Sequence, residues 1–210
     1  RGRLMRDLLV GQRLVAILTI EKSEDAVPLA AAIIEGGISA IEITFRTDKA
    51  IKSIREILFN LPEAIVGAGT IISEDQLSIA EDLGCNFMVS PGATGSLLKA
   101  ANDLSIPLLP GISTISEIMC AMEYGYRDFK FFPAELAGGA AFIESLINLF
   151  PDAMFCPTGG VGIQNMSGYL RLPNVLAVGG SWIAPPELIR NKQWFQIEKL
   201  AREAAALCAN

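Results

Sequence analysis

The chain has 210 residues, 51% of them hydrophobic and 19% charged, with no histidine. That balance describes a well-cored globular chain rather than a disordered one, and a net charge of -6 argues against nucleic acid as the main partner, because a phosphate backbone demands a basic stripe. With no histidine and no CxxC spacing among Cys85, Cys120, Cys156 and Cys208, the usual zinc sites are excluded as well.

No Ser/Gly linker, run of like charges or low-complexity tract marks a seam, so residues 1–210 are expected to form a single domain. Arg1-Gly2-Arg3-Leu4-Met5-Arg6 has no secretion-signal pattern and leads into a short amphipathic segment, expected as a short N-terminal helix. The longest apolar runs, such as Ala134 to Phe142, are broken by Glu135 and glycines and are too short to span a bilayer. The cysteines read as reduced core residues of a cytoplasmic protein.

In chain order, β-rich runs fall at Leu14–Thr19, Ala40–Phe45, Ala64–Gly69, Phe87–Ser90, Pro107–Pro110, Asp128–Phe132, Met154–Pro157 and Val175–Val178. Helix-period segments lie between them, among them Glu24–Glu35, Lys49–Asn60, Ser73–Leu83 and Ile115–Tyr124. Strands alternating with helices imply right-handed βαβ units and a parallel sheet. Eight such units in a chain of this length fit an α/β (β/α)8 TIM barrel, with an open doubly wound sheet as the alternative. Polar and glycine residues directly follow the strands, at Arg46-Thr47, Gly69-Thr70, Ser90-Pro91-Gly92, Gly111-Ile112-Ser113, Thr158-Gly159-Gly160 and Gly179-Gly180-Ser181. Those are the positions that build the active end of a barrel, although turn and N-cap chemistry explains some of them equally well.

Lys130 stands out within Asp128-Phe129-Lys130-Phe131-Phe132-Pro133-Ala134-Glu135. Period-2 alternation points Phe129 and Phe131 one way and Asp128, Lys130 and Phe132 the other. A lysine walled in by aromatics must lose its charge or find a partner, and a free amine is a nucleophile toward carbonyls. Glu42, in Ile41-Glu42-Ile43-Thr44-Phe45-Arg46, is aimed with Thr44 and Arg46 at the interior or mouth. A carboxylate there costs several kcal/mol unless paired, and beside Lys130 it can move a proton. A purely structural bridge from Glu42 to Lys130 or Arg46 is the competing reading. Arg46 and Thr70 follow successive strands and offer a forked cation and a hydroxyl to a carboxylate. Thr158-Gly159-Gly160 and Gly179-Gly180-Ser181 follow the last two strands, where backbone N–H groups can cradle a phosphate or merely form close turns.

Together with Val66-Gly67-Ala68-Gly69-Thr70, Pro110-Gly111-Ile112-Ser113-Thr114 and Phe155-Cys156-Pro157, these stretches closely resemble the bacterial class I aldolases that cleave 2-keto-3-deoxy-6-phosphogluconate (KDPG) and 4-hydroxy-2-oxoglutarate. The resemblance implies that Lys130 forms a Schiff base with pyruvate and that Glu42 is the general acid and base. It assigns Arg46 and Thr70 to the pyruvate carboxylate, Phe132 to packing on the pyruvate and Pro91 to pocket shape. Thr158, Gly159, Gly160, Gly180 and Ser181 would serve the distal hydroxyl and phosphate end. It further implies a homotrimer that needs no metal or other cofactor. One departure lies in the first strand, where many relatives carry a proline and then a ligand-facing basic residue and this chain has Ala16-Ile17-Leu18-Thr19.

The expected activity is therefore cleavage of KDPG to pyruvate and glyceraldehyde 3-phosphate, with 4-hydroxy-2-oxoglutarate as a second substrate. The rivals are an aldolase for the C4 epimer, 2-keto-3-deoxy-6-phosphogalactonate, and a barrel that binds a phosphorylated ligand without turnover. By the resemblance, Thr158 favours the gluconate form.

Overall fold

A computed structural model gives the structure of residues 5–208, so the Arg1–Leu4 part of the expected amphipathic lead-in lies outside the described residues. The remainder of that segment forms α1 (Met5–Leu8). There follow β1 (Leu14–Leu18), α2 (Ala26–Glu35), β2 (Ala40–Thr44), α3 (Ala50–Asn60), β3 (Ile65–Gly69), α4 (Glu74–Asp82), β4 (Phe87–Val89), α5 (Gly95–Asn102) and β5 (Leu108–Leu109). The second half comprises β6 (Gly111–Ile112), α6 (Ile115–Glu123), β7 (Asp128–Phe131), α7 (Gly139–Ser145), β8 (Met154–Pro157), α8 (Met166–Leu170), β9 (Val178–Gly180), α9 (Pro186–Arg190) and α10 (Trp194–Cys208). All strand pairs are parallel: the order is β5-β4-β3-β2-β1-β9 in one sheet and β6-β7-β8 in the other. The result is an α/β architecture with a curled parallel sheet whose strands alternate with helices.

Strict alternation along the strands sorts side chains onto two faces. Ile41, Ile43, Phe129, Phe131 and Phe155 enter the large core between sheet and helices. Val15, Ala40, Phe87, Val89, Leu109 and Cys156 form a second cluster on the inner, concave face, joined by Met5 and Leu9 from the N-terminal segment. Arg6 ties that segment down: its Nε donates to Asp128 Oδ1 at 2.7 Å and its backbone N–H to Asp128 Oδ2 at 3.0 Å. Asp128 thus points toward the N-terminal end of the strands. No helix among the described residues is long and apolar enough to cross a membrane.

Five of the expected β-rich runs shorten by one residue at an end, Met154–Pro157 is unchanged, and two runs are rearranged. The run Pro107–Pro110 becomes two short strands on either side of Pro110, which has no N–H for the ladder, and pairing continues into Gly111–Ile112. At the last run, Val175 makes only an isolated pair with Phe155, and the ladder on β1 begins at Val178 and continues through Gly180. Gly179 and Gly180 therefore lie within the sheet, not in a loop. Their missing side chains explain it, because an added Cβ would run into Thr158 Oγ1 at Gly179 and into the Trp182 ring at Gly180. The cysteine expectation also needs correction. All four are free, but Cys120 is exposed on α6 and Cys208 is half-buried, so only Cys85 and Cys156 are core residues.

Candidate active site

The register decides what faces what. Glu42 on β2 is opposite Ile17 on β1 and Gly67 on β3, while Lys130 on β7 is opposite Gly111 on β6 and Cys156 on β8. Both ionisable side chains project onto the inner face from different strands and meet there. Lys130 Nζ lies 3.3 Å from Glu42 Oε1 and 3.5 Å from Oε2, with side-chain exposures of only 7% and 4%. The ammonium also lies 5.4 Å from the centroid of the Phe132 ring, within range of a cation–π attraction. Room for the carboxylate comes from Gly69, where a Cβ would overlap it.

Next to this pair, Arg46 and Thr70 come together, with Arg46 Nε donating to Thr70 Oγ1 at 3.2 Å. Thr70 holds φ 59, a left-handed conformation unfavourable for a β-branched residue. Strain of this kind persists only where the surroundings over-determine it, and it clusters at functional sites. Pro91 is half-buried, and its carbonyl lies so close to Gly111 that a Cβ there would collide with it.

Thr158 is buried at the end of β8, and Gly159 and Gly160 follow with φ 96 and 77. The carbonyls of this turn face the scaffold. Thr158 O accepts from Ala134 N at 2.8 Å, Gly159 O from Glu135 N at 3.1 Å and Gly160 O from Asn165 Nδ2 at 3.0 Å. The N–H groups of Gly159, Gly160 and Val161 have no acceptor among the described residues. Consecutive free N–H groups on a left-handed backbone form a concave anion nest. Ser181 is exposed at the end of β9, beside that nest through the Thr158–Gly179 pairing.

Several contributors carry no signal in the linear sequence. Asn165 braces the nest from both sides, accepting from Gly162 N at 2.8 Å as well as donating to Gly160. The Tyr169 hydroxyl donates to the Glu135 carboxylate. Burial, with Glu135 adding to it, pushes that hydroxyl well above its ordinary range, so it remains a donor. Cys156 lies across the ladder from Lys130. Burial pushes its thiol up to about 12, with Glu42 acting in the same sense and Lys130 opposing, so the sulfur stays neutral and is no rival nucleophile. A separate cavity of about 740 Å³ opens at the opposite end of the strands, between Tyr124, Tyr126, Arg127 and Ser105, away from this constellation.

Residues 5–200 match the family model for KDPG and KHG aldolase. The chain belongs to this aldolase family. The KHG/KDPG aldolase of Escherichia coli K12 is 46% identical over 190 residues, which cover 90% of this chain and 89% of that protein. The 2-dehydro-3-deoxy-phosphogluconate aldolase of Dickeya dadantii is 46% identical over 199 residues, covering 95% of this chain and 93% of that protein. Among solved structures, the Legionella pneumophila KDPG aldolase, with pyruvate captured at low pH as a covalent carbinolamine intermediate, is similar with a TM-score of 0.92. It is 41% identical, with coverage of 95% of this chain and 97% of that one. Within an aldolase family, a buried amine against a carboxylate is an arrangement that suits imine chemistry.

Proposed function

We propose that this chain is a class I aldolase that cleaves KDPG to pyruvate and glyceraldehyde 3-phosphate. The observation that carries the proposal is the buried 3.3 Å contact between Lys130 and Glu42, with Arg46 and Thr70 on one side and the free N–H groups of the Thr158–Val161 turn on the other. Lys130 attacks the C2 carbonyl of the keto acid, and loss of water gives an iminium. That cation accepts the electron pair released when the C3–C4 bond breaks, as the C4 hydroxyl gives up its proton. The resulting enamine is protonated and hydrolysed, freeing pyruvate and the amine. Glu42 is the group within reach to carry these protons. Arg46 and Thr70 hold the carboxylate, Phe132 packs on the pyruvate, and Pro91 shapes the wall. Thr158 serves the distal hydroxyl end, while Gly159, Gly160, Gly180 and Ser181 serve the phosphate.

Because the imine supplies the electron sink, this mechanism needs no metal. 4-Hydroxy-2-oxoglutarate presents the same keto-acid half and is a second substrate on this reading. The two sheets are read as one closed (β/α)8 barrel, joined by the Phe155–Val175 and Thr158–Gly179 pairs on one side and across Pro110 on the other. The assembly is read as a single-domain homotrimer working in the cytoplasm. Exposed Ile72, Ile115 and Met119 supply apolar surface for such contacts. Sedimentation at three times the 22.5 kDa chain mass would agree with the trimer.

The deciding experiment is reductive trapping. Borohydride with pyruvate should add a three-carbon unit to the peptide containing Lys130, and Lys130→Met should abolish both trapping and turnover. An unlabelled Lys130 in a folded protein overturns the assignment. Steady-state kinetics on KDPG and its C4 epimer then fix the preferred substrate.

A further inference from the structure

Two threonines on adjacent strands form a hydroxyl relay at the mouth of the site. Extending the β1–β2 register by one residue from Leu18–Ile43 places Thr19 opposite Thr44. Thr19 therefore faces the same way as Ile17 and Glu42, one layer nearer the C-terminal end of the strands. Its Oγ1 lies 2.9 Å from Thr44 Oγ1. Thr44 is fully buried, and its hydroxyl donates to Leu18 O at 3.2 Å. A hydroxyl has one proton. With Thr44's proton committed to the Leu18 carbonyl, the threonine contact is satisfied when Thr19 donates and Thr44 accepts. Thr19 is exposed, and among the described residues its hydroxyl contacts only Thr44, so its lone pairs are then presented to the mouth.

The sheet order β3-β2-β1-β9 puts β1 between the Arg46–Thr70 pair, which follows β2 and β3, and Ser181, which follows β9. Ile17, below Thr19, reaches toward Gly179 beside Thr158. A keto acid held by its carboxylate at one end and its phosphate at the other must pass Thr19 with its middle carbons. We propose that Thr19, polarised by Thr44, is a specificity residue that accepts a hydrogen bond from the C5 hydroxyl of the substrate. An acceptor at this point selects a hydroxyl-bearing chain and gives nothing to a carboxylate or phosphate.

This inference rests on the aldolase reading, and the test separates the two. In the condensation direction with pyruvate, the 2-hydroxyl of D-glyceraldehyde 3-phosphate becomes the C5 hydroxyl, whereas 3-oxopropyl phosphate lacks it. In Thr19→Val, the ratio of kcat/KM for the hydroxylated over the deoxy acceptor should fall about threefold to tenfold, the worth of one neutral hydrogen bond. Thr19→Ser, which keeps the hydroxyl, should restore the ratio. An unchanged ratio in Thr19→Val, or an equal loss on both acceptors, overturns the role of Thr19. Absence of condensation and of pyruvate trapping in the unmodified protein would instead overturn the aldolase reading.

Discussion

Lys130 and Glu42 are both more than nine-tenths buried, and removing two charges from water costs several kcal/mol per ion even after relaxation. Their mutual attraction offsets this, but buried ion pairs replaced by well-packed apolar residues are often neutral or more stable by about 1–4 kcal/mol. A pair held for chemistry should follow that pattern. The double replacement Lys130→Met with Glu42→Leu is expected to fold with stability equal to or above the parent while losing all turnover. Denaturant unfolding of parent and variant measures this. A clear loss of stability would favour the structural bridge that the linear sequence also allows. These two residues were legible because each interrupts an apolar alternation with a charge. Gly69, Cys156 and the Thr19–Thr44 contact were not, since each acquires its meaning from a neighbouring strand whose register no linear pattern specifies.

At the scale of elements, the β-rich runs and the helices within Glu24–Glu35, Lys49–Asn60, Ser73–Leu83 and Ile115–Tyr124 were readable from composition and period. The split at Pro110 and the extension of β9 through Gly179–Gly180 were not, because glycine is depleted in strands and reads as a turn. The space taken by Trp182 and Thr158 overrides that preference here. Loop chemistry yields a sharper test. If the Thr158–Val161 nest and Ser181 hold the phosphate, Ser181→Ala removes one donor to a charged group and weakens KDPG by roughly 1.5–3 kcal/mol. 4-Hydroxy-2-oxoglutarate has no phosphate and should be nearly unaffected, whereas Arg46→Ala should weaken both. Equal damage to both substrates from Ser181→Ala would place the phosphate elsewhere.

Helix caps in this chain also carry a pH signature. At the start of α6, Thr114 Oγ1 accepts from Glu117 N, while the Glu117 carboxylate accepts from Ser113 N at 2.7 Å and Thr114 N at 2.9 Å. Burial pushes the Glu117 carboxyl up, but these N–H donors and the neighbouring hydroxyls outweigh it and hold it below its ordinary 4.5. A carboxyl depressed in the folded state stabilises above its unfolded value and loses that contribution as pH falls through the folded one. Glu117→Gln should therefore cost about 0.3–1.5 kcal/mol near neutrality. The difference from the parent should shrink as pH drops below 4.5, and a pH series of thermal melts reads it. A constant offset at all pH values would mean that the cap contributes no charge.

Across the whole molecule, chemistry and anchoring occupy opposite ends of one strand. Lys130 faces Glu42 toward the C-terminal ends of the strands, whereas Asp128, two residues earlier on β7, faces Arg6 and the N-terminal segment. Asp128 is almost fully buried, with 5% side-chain exposure against 33% for Arg6, so solvent screens the pair only on the arginine side. Removing Arg6 leaves a buried carboxylate with its cation gone, and it loosens Met5 and Leu9, which close the inner cluster. The penalty for a stranded buried charge is about 3–5 kcal/mol, and partial exposure of the arginine reduces it to roughly 2–3. For a chain of this size that corresponds to a fall in Tm of about 4–12 °C. Turnover per folded molecule should be unchanged at 25 °C, because the hydrogen bonds of Arg6 among the described residues run to Asp128, Arg127 and Asp152, all at the other end of the strand. Replacing both partners, Arg6→Ala with Asp128→Ala, removes the stranded charge and should recover part of the lost stability. If Arg6→Ala instead lowered kcat without lowering Tm, the two ends of β7 would be coupled, and the separation of anchoring from chemistry would be wrong.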